Sequence, residues 1–154
     1  MISSERVIAL LRHAHVALGW LGIKAPKIAV AALNPHASDG GLFGTEEAEH
    51  LLPAVEAARR EGINACGPLS ADSVFHQCEL GEFDAVISLY HDQGHIAAKM
   101  KSFLGTVSVT TGLPVLRTSV DHGTAFDIAG RNKADPTSMV EAIKVARQIL
   151  EARN

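Results

Sequence analysis

Hydrophobic and polar positions change period several times along the chain, and each change marks an element. Over residues 4–22, Val7, Leu10, Leu11, Ala14, Leu18 and Leu21 recur at helical spacing, with Ser3 or Ser4 placed to cap the first turn. Gly22 and Pro26 end that segment. Residues 27–33 form an unbroken apolar run, the pattern of a strand buried on both faces of a parallel sheet. Residues 34–44 are a loop by composition. Helical spacing returns with Thr45 as cap, Glu46 and Glu47 favouring the dipole, and Ala48, Leu51, Leu52, Val55 and Ala58 as the apolar stripe. Gly62 stops it. Residues 63–66 read as a strand, 67–73 as a turn into a short helix, 83–89 as a second apolar strand and 92–101 as the start of a helix. Residues 105–111 are β-branched and read as a strand, followed by an extended run over 113–120. Asp135 caps the last helix with Pro136 at its first position, and Met139, Val140, Ile143, Ala146 and Leu150 form its core face. Strands alternating with helices predict an α/β fold with a largely parallel or mixed sheet. No repeat or linker interrupts the pattern, so a single compact unit over 1–154 is expected.

Composition narrows the function classes. The 154 residues are 47% apolar and 20% charged, which is globular and long enough for a core. A net charge of -3 without any Lys/Arg block argues against a nucleic-acid surface. No run spans a bilayer and no leader pattern is present, so a soluble cytoplasmic protein is expected. Cys66 and Cys78 read as reduced, small core residues. Eight histidines raise the prospect of metal or proton chemistry.

That chemistry gathers at strand ends. Tyr90, His91, Asp92, Gln93, Gly94 and His95 follow the second apolar strand, and ligands in open α/β sheets bind at the carboxyl ends of strands. His36 follows the first. Two neighbouring strands would bring both imidazoles together, and imidazole suits zinc and other divalent first-row metals. A third ligand is needed, with Asp72, Asp92 and His95 as candidates; the bland alternative is hydrogen-bonded loop histidines. Lys99 and Arg117 are candidate anion partners, and Arg117 needs a partner because its surroundings are apolar. The glycine loop at 39–44 is neither GxGxxG nor a P-loop, and no GxSxG elbow exists. Ser119, Asp121 and His122 lie too close in sequence to be taken for a triad. A metal-dependent hydrolase using His36, His91 and Asp72 fits the histidine content.

Four blocks together resemble the 4-hydroxythreonine-4-phosphate dehydrogenase (PdxA) family: residues 33–37 with Gly40 and Gly41, residues 67–72, residues 90–94, and residues 111–125. The Gly94-His95-Ile96 variant resembles the branch acting on 4-phospho-D-threonate or erythronate. Residues 122–130 are also similar to the His-Gly-(Ser/Thr)-Ala-x-Asp-Ile-Ala-Gly pattern of isocitrate and isopropylmalate dehydrogenases. The resemblance implies a three-layer α/β/α fold of that kind, incomplete here, because it covers only the C-terminal half of a family about twice as long. It implies His36 and His91 as ligands of a divalent metal (Zn, Mg, Mn or Co), with the third histidine and a substrate-binding His-Thr pair in the other half. It implies Lys99, Ser108 and Arg117 as substrate contacts, Ser108 standing where relatives usually carry Asn. Lys99 or Asp72 would assist proton removal. His122, Gly123, Thr124, Ala125, Asp127 and Asn132 would hold NAD or NADP. The implied protein is a homodimer that oxidises a phosphorylated hydroxy acid, in pyridoxal phosphate biosynthesis or on phosphothreonate. The half-chain is expected to be inactive alone, and a non-catalytic binding or dimerisation module that keeps the fold is the competing reading.

Overall fold

A computed structural model describes residues 2–153. The chain packs as two compact units, Met1–Ala97 and Ala98–Asn154.

The first unit is built around one strand. β1 (Ile28–Ala31) has all four residues buried, as its uninterrupted apolar run requires. It pairs in parallel with β2 (Ala65–Leu69) on one side and β3 (Ala85–Ile87) on the other, giving the order β2-β1-β3. Alternate β1 side chains point to opposite faces. Ile28 and Val30 meet α1 (Ser4–Trp20) and α2 (Leu52–Arg60) through Val7, Leu11, Leu18, Val55 and Ala58. Ala29 and Ala31 meet Val74 of α3 (Ala71–Glu79), together with Phe83. Connection chirality explains the split. The crossover from β1 to β2 and the one from β2 back past β1 to β3 run in opposite directions across the sheet. Right-handed crossovers therefore place α2 and α3 on opposite faces. The result is the expected three-layer α/β/α arrangement.

Local details depart from the sequence reading at two places. Thr45 makes no side-chain cap; its carbonyl accepts from Glu49 N at 2.9 Å as the chain winds through a wide turn at Glu47–Leu51 into α2. Residues 67–69 continue β2 where a turn was expected. The extension is held by Ala32 N donating to Leu69 O at 2.7 Å. Gly67 permits it: its φ is +118°, and a Cβ there would lie 2.5 Å from the Val30 carbonyl oxygen.

The second unit follows from α4 (His91–Lys101), in which the chain passes the unit boundary. β4 (Val107–Thr110) and β5 (Arg117–Val120) pair antiparallel, Val107 with Val120 and Thr110 with Arg117. α5 (Thr137–Arg153) packs against both strands. Asp135 caps it as expected, its Oδ1 accepting from Thr137 N at 2.8 Å. The inward stripe of α5, however, is Ser138, Ala142 and Ile149. Met139, Val140, Ile143 and Leu150, expected as its core face, are exposed. The helix carries two adjacent apolar stripes one residue out of phase, and the small residues of one allow the strands to approach.

Gly67→Ala is expected to destabilise the chain by about 3 kcal/mol, since backbone must shift and the residue is strained. Gly62→Ala, at φ +84° with nothing within 4 Å of its Cβ position, should cost only about 1 kcal/mol. Urea denaturation of the two variants checks the difference.

Candidate functional site

The carboxyl end of β1 is braced on two sides. The Glu47 side chain, in a residue only 3% exposed, turns back so that Oε1 accepts from Leu33 N at 2.9 Å and Asn34 N at 2.8 Å. Its Oε2 accepts from Asn34 Nδ2 at 2.8 Å, and so does Oε2 of Glu46. The two acids expected to serve a helix dipole instead hold the strand tip. From the other side, Gln93 Nε2 donates to Ala32 O at 2.8 Å, while its Oε1 accepts from Leu89 N at 2.9 Å. The loops that follow β1 and β3 are thus fastened to the same three residues, 32–34. The sequence names Glu47 as a dipole acid and Gln93 within the polar cluster after the second apolar strand, but gives neither this bracing role. The available signal was the amide side chain of Gln93 shortly after β3; Glu47, 16 residues beyond β1, carried none.

His36 lies in the first of these loops, in a left-handed turn. His36, Ala37, Ser38, Asp39 and Gly40 have φ of 50, 54, 67, 46 and 68°. Each non-glycine residue in that region costs on the order of 1 kcal/mol, and such strain persists only where the surroundings over-determine it. The turn is closed by Phe43 N donating to Ser38 O at 3.2 Å, with Ser38 buried. His91 opens α4, exposed, with Nδ1 2.7 Å from Asp92 Oδ1 and its ring stacked on His95 at 4.1 Å. A carboxylate on Nδ1 leaves Nε2 to face a ligand, the arrangement commonly found around metal-bound histidine. Asp72, exposed at the start of α3, lines a cleft of about 400 Å³ with Phe75, Tyr90, Asp92, Gln93 and Ile96. The structure therefore brings Asp72 to the loop that carries His91.

In the second unit, strand alternation sorts the hairpin into two faces. Ser108 pairs with Ser119 and Thr110 with Arg117, so these four share one face, and Asp121 continues the phase of Arg117 and Ser119. Val107, Val109 and Val120 take the other. On the polar face Arg117 Nη1 donates to Thr110 Oγ1 at 3.0 Å, so the expected partner of this cation is a neutral hydroxyl. Lys99 Nζ lies 3.1 Å from Asp121 Oδ2 and also donates to the Asp121 carbonyl. Ser108 Oγ donates to Asp121 Oδ1 at 3.0 Å. Two of the three expected substrate contacts thus converge on one acid that the sequence reading left without a role. His122, Gly123, Thr124, Ala125, Asp127 and Asn132 form an exposed loop with left-handed Ala125 (φ 43°) and Asn132 (φ 55°) around a short turn at Phe126–Ile128. His122 Nδ1 lies 2.9 Å from Gly123 O.

Two imidazoles suit a divalent first-row cation in kind. They fall short in number: among the described residues no group of three His, Cys, Asp or Glu could hold a metal ion. Also among the described residues, no helix is long and apolar enough to cross a membrane.

The family model described as "Pyridoxal phosphate biosynthetic protein PdxA" matches residues 1–146. A protein of Halalkalibacterium halodurans, provisionally named D-threonate 4-phosphate dehydrogenase, is 57% identical over 94% of this chain and 43% of its own length. A protein of Cutibacterium acnes with the same provisional name is 64% identical over 84% of this chain and 38% of its own. The crystal structure of 4-hydroxythreonine-4-phosphate dehydrogenase from Klebsiella pneumoniae matches with a TM-score of 0.90 and 45% identity, covering all of this chain and 46% of that one. This chain therefore spans under half the length of the relatives it matches.

Glu47 is the residue whose removal should disturb the site most. Burial pushes its carboxyl up, but the Asn34 and Leu33 donors outweigh it and hold the value below the ordinary 4.5. A folded value below the unfolded one stabilises the fold above about pH 4.5, and this is lost as pH falls through the folded value. Glu47→Gln, which sets an NH₂ against donors, is expected to cost about 2 kcal/mol at pH 7. In urea melts the gap to wild type should narrow below pH 4.5.

Proposed function

This chain belongs to the PdxA family, and on that premise we propose that it supplies the C-terminal half of a cytoplasmic, dimeric enzyme that oxidises a 4-phosphorylated hydroxy acid with NAD or NADP. The relatives named for D-threonate 4-phosphate are 53–64% identical, against 45% for the Klebsiella enzyme. This favours 4-phospho-D-threonate over 4-phosphohydroxy-L-threonine as substrate. The observation that carries the reading is the pair of histidine loops at the ends of neighbouring parallel strands, both braced at residues 32–34.

His36 and His91 would hold a divalent cation such as Zn, Mg, Mn or Co, with the remaining ligand drawn from polypeptide corresponding to the unmatched part of the relatives. When bound, that cation supplies Lewis acidity at the substrate oxygens. Arg117, exposed and hydrogen-bonded to a neutral hydroxyl, keeps its charge for the phosphate or carboxylate. Lys99, an ammonium paired with Asp121, is a candidate to orient the substrate, and Asp72 is separately a candidate to accept the hydroxyl proton as hydride leaves for the nicotinamide. Ser108 adds a short polar contact. His122, Gly123, Thr124, Ala125, Asp127 and Asn132 present the exposed loop on which the dinucleotide would rest. A second reading, a binding module without catalysis, is favoured by the shortage of a third metal-capable side chain among the described residues.

Calorimetric titration with Zn²⁺ separates the two. The proposal expects measurable binding by the wild-type chain and a loss of at least about tenfold in both His36→Ala and His91→Ala. It further expects Arg117→Met to weaken 4-phospho-D-threonate by about tenfold or more. Metal binding that is absent, or indifferent to both histidines, would leave the non-catalytic module standing.

A further inference from the structure

We propose that Asp121 is a positioning residue: it fixes the Lys99 ammonium and the Ser108 hydroxyl in a single network on the polar face of the β4–β5 hairpin. The inference rests on the reading of Lys99 as a substrate contact and adds the residue through which that contact is aimed.

The Asp121 side chain is 8% exposed and that of Lys99 23%, so the pair is largely withdrawn from water. A carboxylate in such a place is tolerated only when paired and hydrogen-bonded. Both conditions are met, by Lys99 at Oδ2 and Ser108 at Oδ1. An ammonium has three donors and no acceptor. One Lys99 donor is directed at the Asp121 backbone carbonyl, and Nζ stands 3.1 Å from the carboxylate as an ion pair. Both contacts come from one residue, so Asp121 sets where the ammonium sits and which side it presents to a ligand. The flexible four-carbon stem is also pinned where Nζ lies 5.3 Å from the centre of the Phe103 ring.

The charge arithmetic assigns different tasks to the two cations. Lys99 and Asp121 cancel, so Lys99 meets a substrate as a directed donor with little net field. Arg117 is left as the uncompensated charge for an anionic group. Ser108 spends its one proton on Asp121 and can only accept from a ligand. It therefore fits a substrate hydroxyl, and it does not fit a phosphate dianion. The network accordingly reads the hydroxyl end of a phosphorylated hydroxy acid, while Arg117 reads an acid end.

A double-mutant cycle on the 154-residue chain tests this, with 4-phospho-D-threonate as ligand and circular dichroism as the check on folding. Asp121→Asn keeps shape and removes charge. It is expected to weaken binding about tenfold when Lys99 is present and by less than about twofold in a Lys99→Met background. Equal losses in both backgrounds would mean a merely structural role and would overturn the inference. So would unchanged binding in Asp121→Asn. Where that variant fails to fold, Ser108→Ala carries the test: it removes one strut, and a loss of about threefold that disappears with Lys99→Met supports the network. No loss in Ser108→Ala overturns it. A wild-type chain that binds neither 4-phospho-D-threonate nor inorganic phosphate overturns the parent reading and this inference together, an outcome distinct from binding that ignores Asp121.

Discussion

A buried carboxylate holding two backbone amides is the constraint on which the first unit's site depends. β1 must end somewhere, and at its end the amides of Leu33 and Asn34 lose their sheet partners. Glu47 satisfies both with one oxygen and reaches the Asn34 side chain with the other. Charge-assisted bonds of this kind are about twice as strong as neutral ones. The Gln93 amide closes the opposite side by taking the Ala32 carbonyl. With those three residues fixed, the loops leaving β1 and β3 begin from one rigid point. Parallel pairing of the two strands then sets the separation of their tips to the spacing of a sheet.

That rigidity bears directly on the left-handed turn at His36–Gly40. A run of residues with positive φ is unfavourable in isolation, and only a well-anchored start and a closed end keep it in place. Asn34, just upstream, is held by three hydrogen bonds to Glu46 and Glu47, and the Phe43–Ser38 bond closes the far end. Strain and anchor are adjacent in sequence. The imidazole presented by this turn is therefore held by backbone geometry together with an edge-on contact to the Phe43 ring, 6.5 Å between centroids.

The second unit solves a different problem with fewer residues. A two-stranded antiparallel ladder has little stability by itself, and here α5 covers one side with Ser138, Ala142 and Ile149. The other side collects Ser108, Thr110, Arg117 and Ser119, with Asp121 just beyond the last paired residue. Polar groups on a part-buried face need partners, and they find them in one another. An ion pair so far removed from water adds little net stability over an apolar alternative, but breaking one side of it is costly. Such a network is better suited to fixing direction than to holding the hairpin together.

The one-dimensional pattern determined a good deal. β1 as a strand buried on both faces, α1 and α2 by most of their stripes (Leu10, Ala48 and Leu52 are exposed), the Asp135 cap, the α/β class and family membership were all legible, because each depends on residues close together in the chain. His36 and His91 could be named as strand-end imidazoles for the same reason. What only the folded chain decided depends on residues far apart. Glu47 looked like a helix-dipole acid until β1 ended 16 residues before it, within reach of its carboxylate. Asp121 had no evident purpose until antiparallel register set it beside Ser108, and the fold of the unit brought Lys99 to it from 22 residues upstream. α5 offered two apolar stripes of similar strength, and periodicity alone could not choose between them. The choice fell to the one whose Ser138 and Ala142 let a helix lie close to two strands, a question of volume at a contact that exists only in three dimensions.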